Sequence, residues 1–321
     1  MKKVELLEPY IKNGDHLSFM KWFAEAWSFC GGSIISRRTL PWQLLLLIAK
    51  FRVSRLLPYI HRNKPALLVP CCGYPDSFVW PYSYTHEIIP MLWDVWPRYW
   101  TRLIASLRRH KVKVFLCTSS QVCSYVKKEL PAITAIHVPE GINPISYHKG
   151  KKLSERGIDI LELGRIKPSM HKAALAVCQE CYDVVHLYKE SGLLFTTQAE
   201  LCDGLANAKM TICYPRCDTH PEMAGEIETL TQRYWECMLS RTVMVGRAPK
   251  ELIDLVGYNP VVEVSPNVKE KDFLQSELPN ISFYQDLVDK NYQTALIYSN
   301  WSERIKYINE RLAQQGYSVH A

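Results

Sequence analysis

The chain has 321 residues, of which 47% are hydrophobic and 22% are charged, and its formal net charge is +7. This length is sufficient for two domains and this apolar content fills ordinary cores, which excludes a disordered or fibrous protein. The charge is uneven, because residues 1–150 hold 20 Lys and Arg against 9 Asp and Glu, whereas residues 151–321 hold 19 against 23. The basic half suits phosphates, anionic polymers or an anionic membrane face, and equally an ordinary solvated surface.

Nothing near the amino terminus resembles an export signal, since MKKVELLEPYIKNGDH has no apolar core. The longest apolar run, LLLLIA at 44–49, is far shorter than the roughly 20 residues that span a bilayer. We therefore expect a cytoplasmic protein whose 11 cysteines are reduced thiols. Cys178 with Cys181, or Cys213 with Cys217, imitates a zinc site, but the first pair lies in a predicted helix, and no metal is expected.

Short β-branched runs alternate with helical patterns through the chain. Residues 1–65 show no clear Gly-rich first strand and are predicted as helices rich in aromatic and basic residues. The rest of the first half contains predicted strands and two helices, in the order strand 66–71, strand 87–93, helix 98–110, strand 111–119, helix 120–130 and strand 133–139.

The second half repeats this rhythm. Its predicted strands are 158–164, 182–188, 192–197, 209–215, 242–246 and 261–265, with helices near 169–180, 198–207, 229–240 and 249–256 and closing helices over 286–312. Two doubly wound parallel sheets follow from this alternation. The polar stretch 148–157 marks the junction, so we predict domains at 1–150 and 151–321 with a ligand site in the cleft between them.

Two carboxylates, Glu228 and Glu236, flank a predicted helix start after the strand at 209–215. Thr229 and Gln232 fit a capping box for a helix beginning at Leu230. A helix start at the carboxyl end of a parallel strand suits a diphosphate, and flanking carboxylates would accept hydrogen bonds from sugar and ribose hydroxyls. This combination describes a nucleotide-sugar. Alternatively, Glu228 complements the helix dipole and Glu236 is a surface charge.

The segment ETLTQRYWECMLSRTVMVG, at 228–246, resembles the Glu-x(7)-Glu signature of retaining GT-B glycosyltransferases. Three further segments resemble motifs of that family in the same order along the chain: LWDVWP (92–97), VPEGINPISY (138–147) and LELGRIKPSMHK (161–172). The resemblance implies an α/β protein with two Rossmann-like doubly wound domains facing each other across a cleft. It also implies that the last helix returns to the N-terminal domain.

The resemblance assigns roles at the donor. Glu236 would hold the ribose hydroxyls and Glu228 would face the donor sugar. Arg165 would clamp the diphosphate as a bidentate guanidinium and offset charge on the leaving group. Lys172 would be the second clamp, with Lys167 as its competitor.

Further positions of the same motifs would line the donor. Thr229 and Thr231 stand where the family often has Gly, so their hydroxyls would replace some backbone contacts. Leu230 opens the predicted helix, and Gly141 lies in the segment that resembles the family's Val-Pro-Asn-Gly-Val-Asp turn.

On the acceptor side, Asp94 matches an Asp of the family and would orient the attacking hydroxyl. Trp93 stands where many relatives carry a His. His86 would substitute for that His if its loop folds back, and otherwise is an ordinary loop histidine.

The expected activity is transfer of a sugar from a nucleotide-diphosphate-sugar to a saccharide or lipid-linked saccharide with retention of configuration, in bacterial-type polysaccharide or glycoconjugate biosynthesis. No metal or other cofactor is expected, and the sequence has no Asp-x-Asp motif. Basic stretches at 50–64 and 102–113 suit peripheral contact with the inner face of the cell membrane. A nucleic-acid partner is not expected, because no recognition motif accompanies the basic residues. A nucleotide-sugar epimerase and a catalytically silent scaffold of the same fold are the alternatives.

Overall fold

A computed structural model describes residues 1–9, 18–37, 64–79, 82–181, 183–189 and 192–319. The apolar run at 44–49, and all but the last residue of the basic stretch at 50–64, lie outside the described residues. The chain divides into two compact units, Met1–Val138 with Ser302–Ala321, and Pro139–Trp301. The division falls after residue 138 rather than at 150, and the end of the chain belongs to the first unit.

The described elements alternate strands and helices. The strands are β1 (Lys2–Leu7), β2 (Ile34–Ile35), β3 (Ala66–Cys72), β4 (Ile88–Trp93), β5 (Val114–Cys117), β6 (Thr134–His137), β7 (Ile158–Leu161), β8 (His186–Leu187), β9 (Ala208–Cys213), β10 (Val243–Gly246), β11 (Val262–Glu263) and β12 (Tyr317–Ser318). The α-helices are α1 (Ser18–Phe29), α2 (Asp76–Val79), α3 (Trp100–Arg109), α4 (Ser120–Glu129), α5 (Pro168–Glu180), α6 (Gln198–Ala206), α7 (Arg216–Thr219), α8 (Pro221–Ala224), α9 (Gln232–Leu239), α10 (Lys250–Val256), α11 (Glu270–Glu277), α12 (Gln285–Tyr298) and α13 (Trp301–Ala313).

Each unit contains a parallel sheet. The first has the order β12-β1-β3-β4-β5-β6 with β2 beside β1, and the second has the order β11-β10-β9-β7-β8. In both sheets, chain order reverses between two neighbouring strands, β1 and β3 in the first and β7 and β9 in the second. The predicted α/β class with parallel sheets is confirmed. Among the described helices, none is both long enough and apolar enough to cross a bilayer.

The cores follow from this layering, because strands buried on both faces are apolar throughout. In β4, all six residues from Ile88 to Trp93 are buried. The core of the second unit packs α5 and α11 against β7, β9 and β10, and includes Ile160, Met170, Val177, Met210, Val243 and Leu274.

The prediction that residues 1–65 are helical is wrong at its beginning, where β1 lies in the interior of the first sheet. Charged residues obscure the alternating apolar pattern of β1 in the sequence. Val4 and Leu6 are buried, while Lys2 ion-pairs with Glu87 and Lys3 with Glu5. Within the described residues of this region, 1–9, 18–37 and 64–65, the predicted helical character is confirmed for α1.

The strand predicted at 192–197 is also wrong, because no strand is assigned there. Thr197 caps α6 in a capping box with Glu200, and Thr196 also donates to that carboxylate. The apolar Phe195 packs on Gly204 of α6, where a Cβ would lie 2.1 Å from the ring. The segment predicted as a strand therefore leads into α6 and caps its amino end.

Glu87 joins the closing strand to the first sheet. Lys2 Nζ lies 2.8 Å from its carboxylate, and the Tyr317 hydroxyl donates to it at 2.8 Å. Burial favours the neutral acid, but hydrogen bonds from Lys2, Tyr317 and Lys113 outweigh it and lower the pKa of Glu87 from 4.5 to about 2.

We expect Glu87→Gln to reduce the acid sensitivity of the first unit. The folded protein binds this proton less readily than the unfolded chain does, so the carboxylate stabilises the fold above about pH 4.5, and this stabilisation disappears as the pH falls toward 2. Urea unfolding of wild type and Glu87→Gln between pH 7 and pH 3 should converge at the acid end. The exposed Glu303, paired with Lys306, provides the control Glu303→Gln. A constant difference between wild type and Glu87→Gln across this range would contradict the assignment.

Candidate functional site

The carboxyl edge of the second sheet brings three loops together. Because β7, β9 and β10 run parallel, their carboxyl ends lie at the same edge. The order reverses between β7 and β9, and ligands of open α/β sheets bind at such a reversal. Arg165 follows β7, Asp218 follows β9, and Arg247 follows β10 directly.

Arg247 holds two carboxylates from different segments. Its Nε and Nη2 donate to the two oxygens of Asp218 at 2.6 Å and 2.9 Å, and its Nη1 donates to Glu228. Nη2 also lies 3.2 Å from Cys217 Sγ. The hydrogen bonds to Asp218 favour the charged guanidinium against the cost of burial and, with those to Glu228, raise the pKa of Arg247 above its usual value. Glu228 is thereby fixed, and its Oε1 also accepts from the Lys250 backbone N–H at 3.4 Å.

Tyr234 contacts the backbone of Arg247. The Tyr234 hydroxyl donates to the backbone oxygen of Arg247 at 2.8 Å. Burial and the nearby Cys213 raise the pKa of the Tyr234 phenol, while the positive charges of Arg247 and Arg165 act in the opposite direction. The charges of Arg165 and Arg247 therefore both act on Tyr234.

The loop that carries Arg165 bends at Gly164, whose φ of +74° favours glycine. Arg165 is exposed. Two residues later, Lys167 Nζ lies 4.1 Å from the ring centre of Tyr214, which follows β9. Lys172 is exposed on α5. The contact with Tyr214 therefore places Lys167, the alternative to Lys172 as the second clamp, beside the β7–β9 reversal.

The predicted capping box at Thr229 does not form, and the helix begins two residues after Leu230. The N-cap of α9 is Thr231, and its side chain makes no capping hydrogen bond. The backbone N–H of Leu230 instead donates to Glu251 at 3.0 Å in a buried contact. Thr229 and Thr231 remain close to Glu228 in the chain. The backbone N–H of Leu230, which was predicted to bind the sugar donor, is instead hydrogen-bonded to Glu251.

Glu236 is buried rather than a surface charge, with an exposed fraction of 6%. One of its oxygens accepts from the Tyr147 hydroxyl at 3.0 Å, and the other lies 2.8 Å from Arg233 Nη1. Burial and the charge of Glu236 raise the pKa of Tyr147. A ribose diol binding to Glu236 would compete with Tyr147 for this carboxylate.

Gly141 lies against the side chain of Trp301. A Cβ at Gly141 would come within 2.9 Å of the indole and 3.0 Å of the Ser299 backbone oxygen. Next to it, the Ile142 N–H donates to the same oxygen at 2.7 Å. Close packing therefore explains the glycine, which the sequence assigned to the donor.

The acceptor residues predicted in the first unit do not share one edge of the sheet. Asp94 is exposed, follows the carboxyl end of β4 and has a φ of +52°, a conformation that Asp tolerates better than most residues. Trp93 is only 2% exposed and packs edge-on against Phe23, with 5.6 Å between ring centres. Trp93 is therefore a core residue in this structure.

His86 precedes β4 and so lies at its amino end. At about 3.3 Å per residue, the strand separates His86 from Asp94 by roughly 20 Å or more. Burial and the nearby Lys64 lower the pKa of His86, and its Nδ1 lies 2.8 Å from the Thr85 hydroxyl. The expectation that His86 replaces a histidine beside Asp94 is corrected by this position.

Sequence reasoning missed three of the site's side chains, Arg247, Asp218 and Tyr147. Arg247 comes directly after a predicted strand of a parallel sheet, which is the position from which ligand-binding residues extend. This position directly after a strand could have indicated Arg247 from the sequence alone. Nothing in the local sequence indicated that Tyr147 would reach Glu236, because 88 residues separate them in the chain.

Comparisons with known proteins establish the fold. No protein-family model and no curated protein matches the sequence. Sucrose-phosphate synthase from Thermosynechococcus elongatus matches with a TM-score of 0.62 and 11% identity, over 98% of this chain and 99% of that chain. HepE from Anabaena, solved with UDP-glucose, matches with a TM-score of 0.62 and 11% identity, over 98% and 100%. A glycosyltransferase from Rickettsia africae ESF-5 matches with a TM-score of 0.55 and 10% identity, over 96% and 97%.

These structural neighbours are GT-B glycosyltransferases. The chain therefore has the predicted GT-B type of α/β fold, with two Rossmann-like units. Identities of 10–11% establish fold rather than activity.

Proposed function

We propose that this protein is a glycosyltransferase that moves a sugar from a nucleotide-diphosphate-sugar to a saccharide or lipid-linked saccharide. The observation that carries the proposal is the cluster in which Arg247, directly after β10, holds Glu228 and Asp218, with Arg165 and Lys167 in the loop after β7 of the same sheet, within a GT-B fold. HepE was solved with UDP-glucose. A UDP-sugar is accordingly the first donor to test.

Arg165 binds the diphosphate in this proposal. Its guanidinium matches two phosphate oxygens and stabilises the charge that grows on the leaving group as the sugar–phosphate bond breaks. The Lys167 ammonium, beside Tyr214, adds a second positive charge, and Lys172 is the alternative second clamp. These cations supply the required charge, so the proposed transfer uses no metal and no other cofactor.

The Glu228 carboxylate accepts hydrogen bonds from hydroxyl groups of the donor sugar. Its ion pair with Arg247 fixes the carboxylate before the donor arrives, and a carboxylate has lone pairs left for sugar hydroxyls after accepting from Arg247. Glu236 accepts hydrogen bonds from the ribose hydroxyls once the Tyr147 hydroxyl no longer donates to its carboxylate. Transfer proceeds with retention, because the acceptor hydroxyl attacks on the face that the departing diphosphate leaves.

Asp94 orients that hydroxyl from the carboxyl end of β4. A lipid-linked acceptor would bring the enzyme to the inner face of the cell membrane, where exposed basic residues such as Arg108 in the last turn of α3 meet anionic lipid. The pathway would be assembly of a bacterial-type polysaccharide or glycoconjugate.

Arg165→Ala is expected to lower donor turnover by about 100-fold or more with little change in melting temperature. The reason is that Arg165 is exposed and its charge is needed when the leaving group departs. The measurement is UDP release from UDP-sugars, with and without saccharide acceptors, followed by NMR of the product's anomeric configuration.

Lys271→Ala is the matched control, because Lys271 is a surface cation on α11 paired with Glu180. Parallel Lys167→Ala and Lys172→Ala variants decide which lysine assists Arg165. Conversion of the donor without acceptor or UDP release would indicate an epimerase, and no turnover of any donor by folded protein that binds nucleotide would indicate a silent scaffold. Either result would contradict the proposed transfer.

A further inference from the structure

Three potential metal ligands converge beside the loop that carries Arg165. Glu162 directly follows β7, His171 lies in the first turns of α5, and His186 opens β8. One ligand atom from each lies within 4.8 Å of the other two. No local sequence pattern indicates this cluster, because the two histidines and the carboxylate come from three separate segments of the chain.

The cluster is almost fully enclosed. The side chains of Glu162 and His186 are 4% and 3% exposed, and that of His171 is 18% exposed. Tyr188 stacks on the His186 ring at 4.7 Å and meets the His171 ring edge-on at 4.8 Å. The aromatic contacts therefore restrict both imidazoles, and of the three side chains that of His171 is the most exposed.

The polar atoms are only partly satisfied by one another. His171 Nδ1 and Glu162 Oε2 are hydrogen-bonded at 3.1 Å. His186 Nε2 and Glu162 Oε1 lie 3.2 Å apart, but within the described part of the chain neither atom has a hydrogen-bond partner of acceptable geometry. Leaving such buried polar atoms unpaired is unfavourable. A cation bound between these two atoms would satisfy both of them.

The distances suit a small transition-metal ion. Zinc binds imidazole nitrogen at about 2.0–2.1 Å and carboxylate oxygen at about 2.0–2.2 Å, so neighbouring ligand atoms of a tetrahedral site lie roughly 3.3 Å apart. His171 Nδ1 and His186 Nε2 lie 3.1 Å and 3.2 Å from the two different oxygens of Glu162, and one ligand atom from each residue lies within 4.8 Å of the others, so the three groups are near this spacing. Imidazole ligands favour zinc-like ions over magnesium and calcium, which prefer oxygen.

The geometry points to a divalent transition-metal site, of zinc-like preference, formed by Glu162, His171 and His186. The ion takes these three ligands, and the partly open side at His171 admits water as a fourth. It joins the end of β7 to α5 and β8, and so stabilises both ends of the loop 162–171 that includes Arg165. This site does not depend on the proposed transfer reaction and takes no part in its chemistry.

The test uses the full chain after removal of metal with a chelator, titrated with Zn²⁺ and with Co²⁺ at pH 7. We expect one equivalent to bind and to raise the melting temperature, because an ion that binds only the folded state stabilises it. Glu162→Gln and His186→Asn should each weaken binding by more than the roughly 10–100-fold that loss of an outer-shell partner costs. Mg²⁺ at the same concentration should produce no shift.

Two controls separate this site from adventitious binding. His148→Asn removes another histidine that faces a carboxylate, but His148 is 61% exposed, so this variant should bind metal like wild type. The Co²⁺ spectrum should lack thiolate charge-transfer absorption, which excludes the 11 cysteines as ligands. Absence of stoichiometric binding to wild type, or unchanged affinity in folded Glu162→Gln, would overturn the proposal. If His186→Asn does not fold without metal, the Glu162→Gln titration decides.

Discussion

Arg247→Ala is expected to destabilise the protein by roughly 2–3 kcal/mol and to remove most of the proposed transfer activity. The Arg247 guanidinium satisfies Asp218 and Glu228 together, and without it two neighbouring carboxylates repel each other with their partner lost. The estimate stays below that for a fully buried pair because the Arg247 side chain is 36% exposed. Urea unfolding measures the stability change, and donor turnover measures the catalytic one.

Arg247→Lys distinguishes the charge of this residue from its geometry. A lysine keeps the positive charge but cannot make the paired contacts to Asp218 while also reaching Glu228, so stability should fall by an intermediate amount. The matched control is Lys250→Ala, which removes an exposed pair with Asp254 and should cost no more than about 0.5 kcal/mol. Wild-type stability and turnover in Arg247→Ala would show that the cluster neither supports the fold nor positions Glu228.

Glu236→Gln should produce the second large effect, a loss of nucleotide binding by roughly 10-fold or more together with a lower melting temperature. The carboxylate accepts from the Tyr147 hydroxyl and pairs with Arg233. An amide offers one acceptor in place of two and leaves Arg233 without its counter-charge, and hydrogen bonds to charged groups are worth about 1.5–3 kcal/mol. Binding is measured by calorimetry with UDP on samples shown to be folded.

Tyr147→Phe is the control that separates ribose binding from packing. It removes the hydroxyl that occupies Glu236 Oε1 but keeps the ring and the carboxylate. If Glu236 holds ribose, Tyr147→Phe should bind UDP at least as tightly as wild type, although it is less stable. A loss of binding in Tyr147→Phe equal to that in Glu236→Gln would indicate that the pair supports the site only through the fold.

Much of the fold was predictable from local patterns. The strands β3 to β7, β9 and β10 and the helices α3 to α6 were confirmed, since each is an apolar run or a periodic helix bounded by turn residues. The first strand was missed because Lys2 and Glu87, 85 residues apart, satisfy each other's charge. Short-range patterns cannot register such a pairing.

In the candidate site, too, the contiguous motifs were recognised from the sequence and the long-range contacts were not. Arg165 and Glu228 were predicted because each belongs to a contiguous segment that resembles a family motif, and their roles stay predictions. The contacts that decide their environment were not found, because Arg247 reaches back 19 residues to Glu228. The N–H of Leu230, predicted to face a diphosphate, donates instead to Glu251, which is 21 residues away. Side-chain partners at such separations depend on how the helices and loops pack.

The most direct test of the donor site is thermal stabilisation by UDP, GDP, ADP, CMP and dTDP, measured for wild type, Glu236→Gln and Tyr147→Phe, each relative to its own ligand-free melting temperature. We expect a selective shift with one nucleoside diphosphate, UDP first, that is retained in Tyr147→Phe and lost in Glu236→Gln. Absence of a shift with every nucleotide in folded wild type would contradict the proposed donor site, as would a shift that Glu236→Gln retains in full.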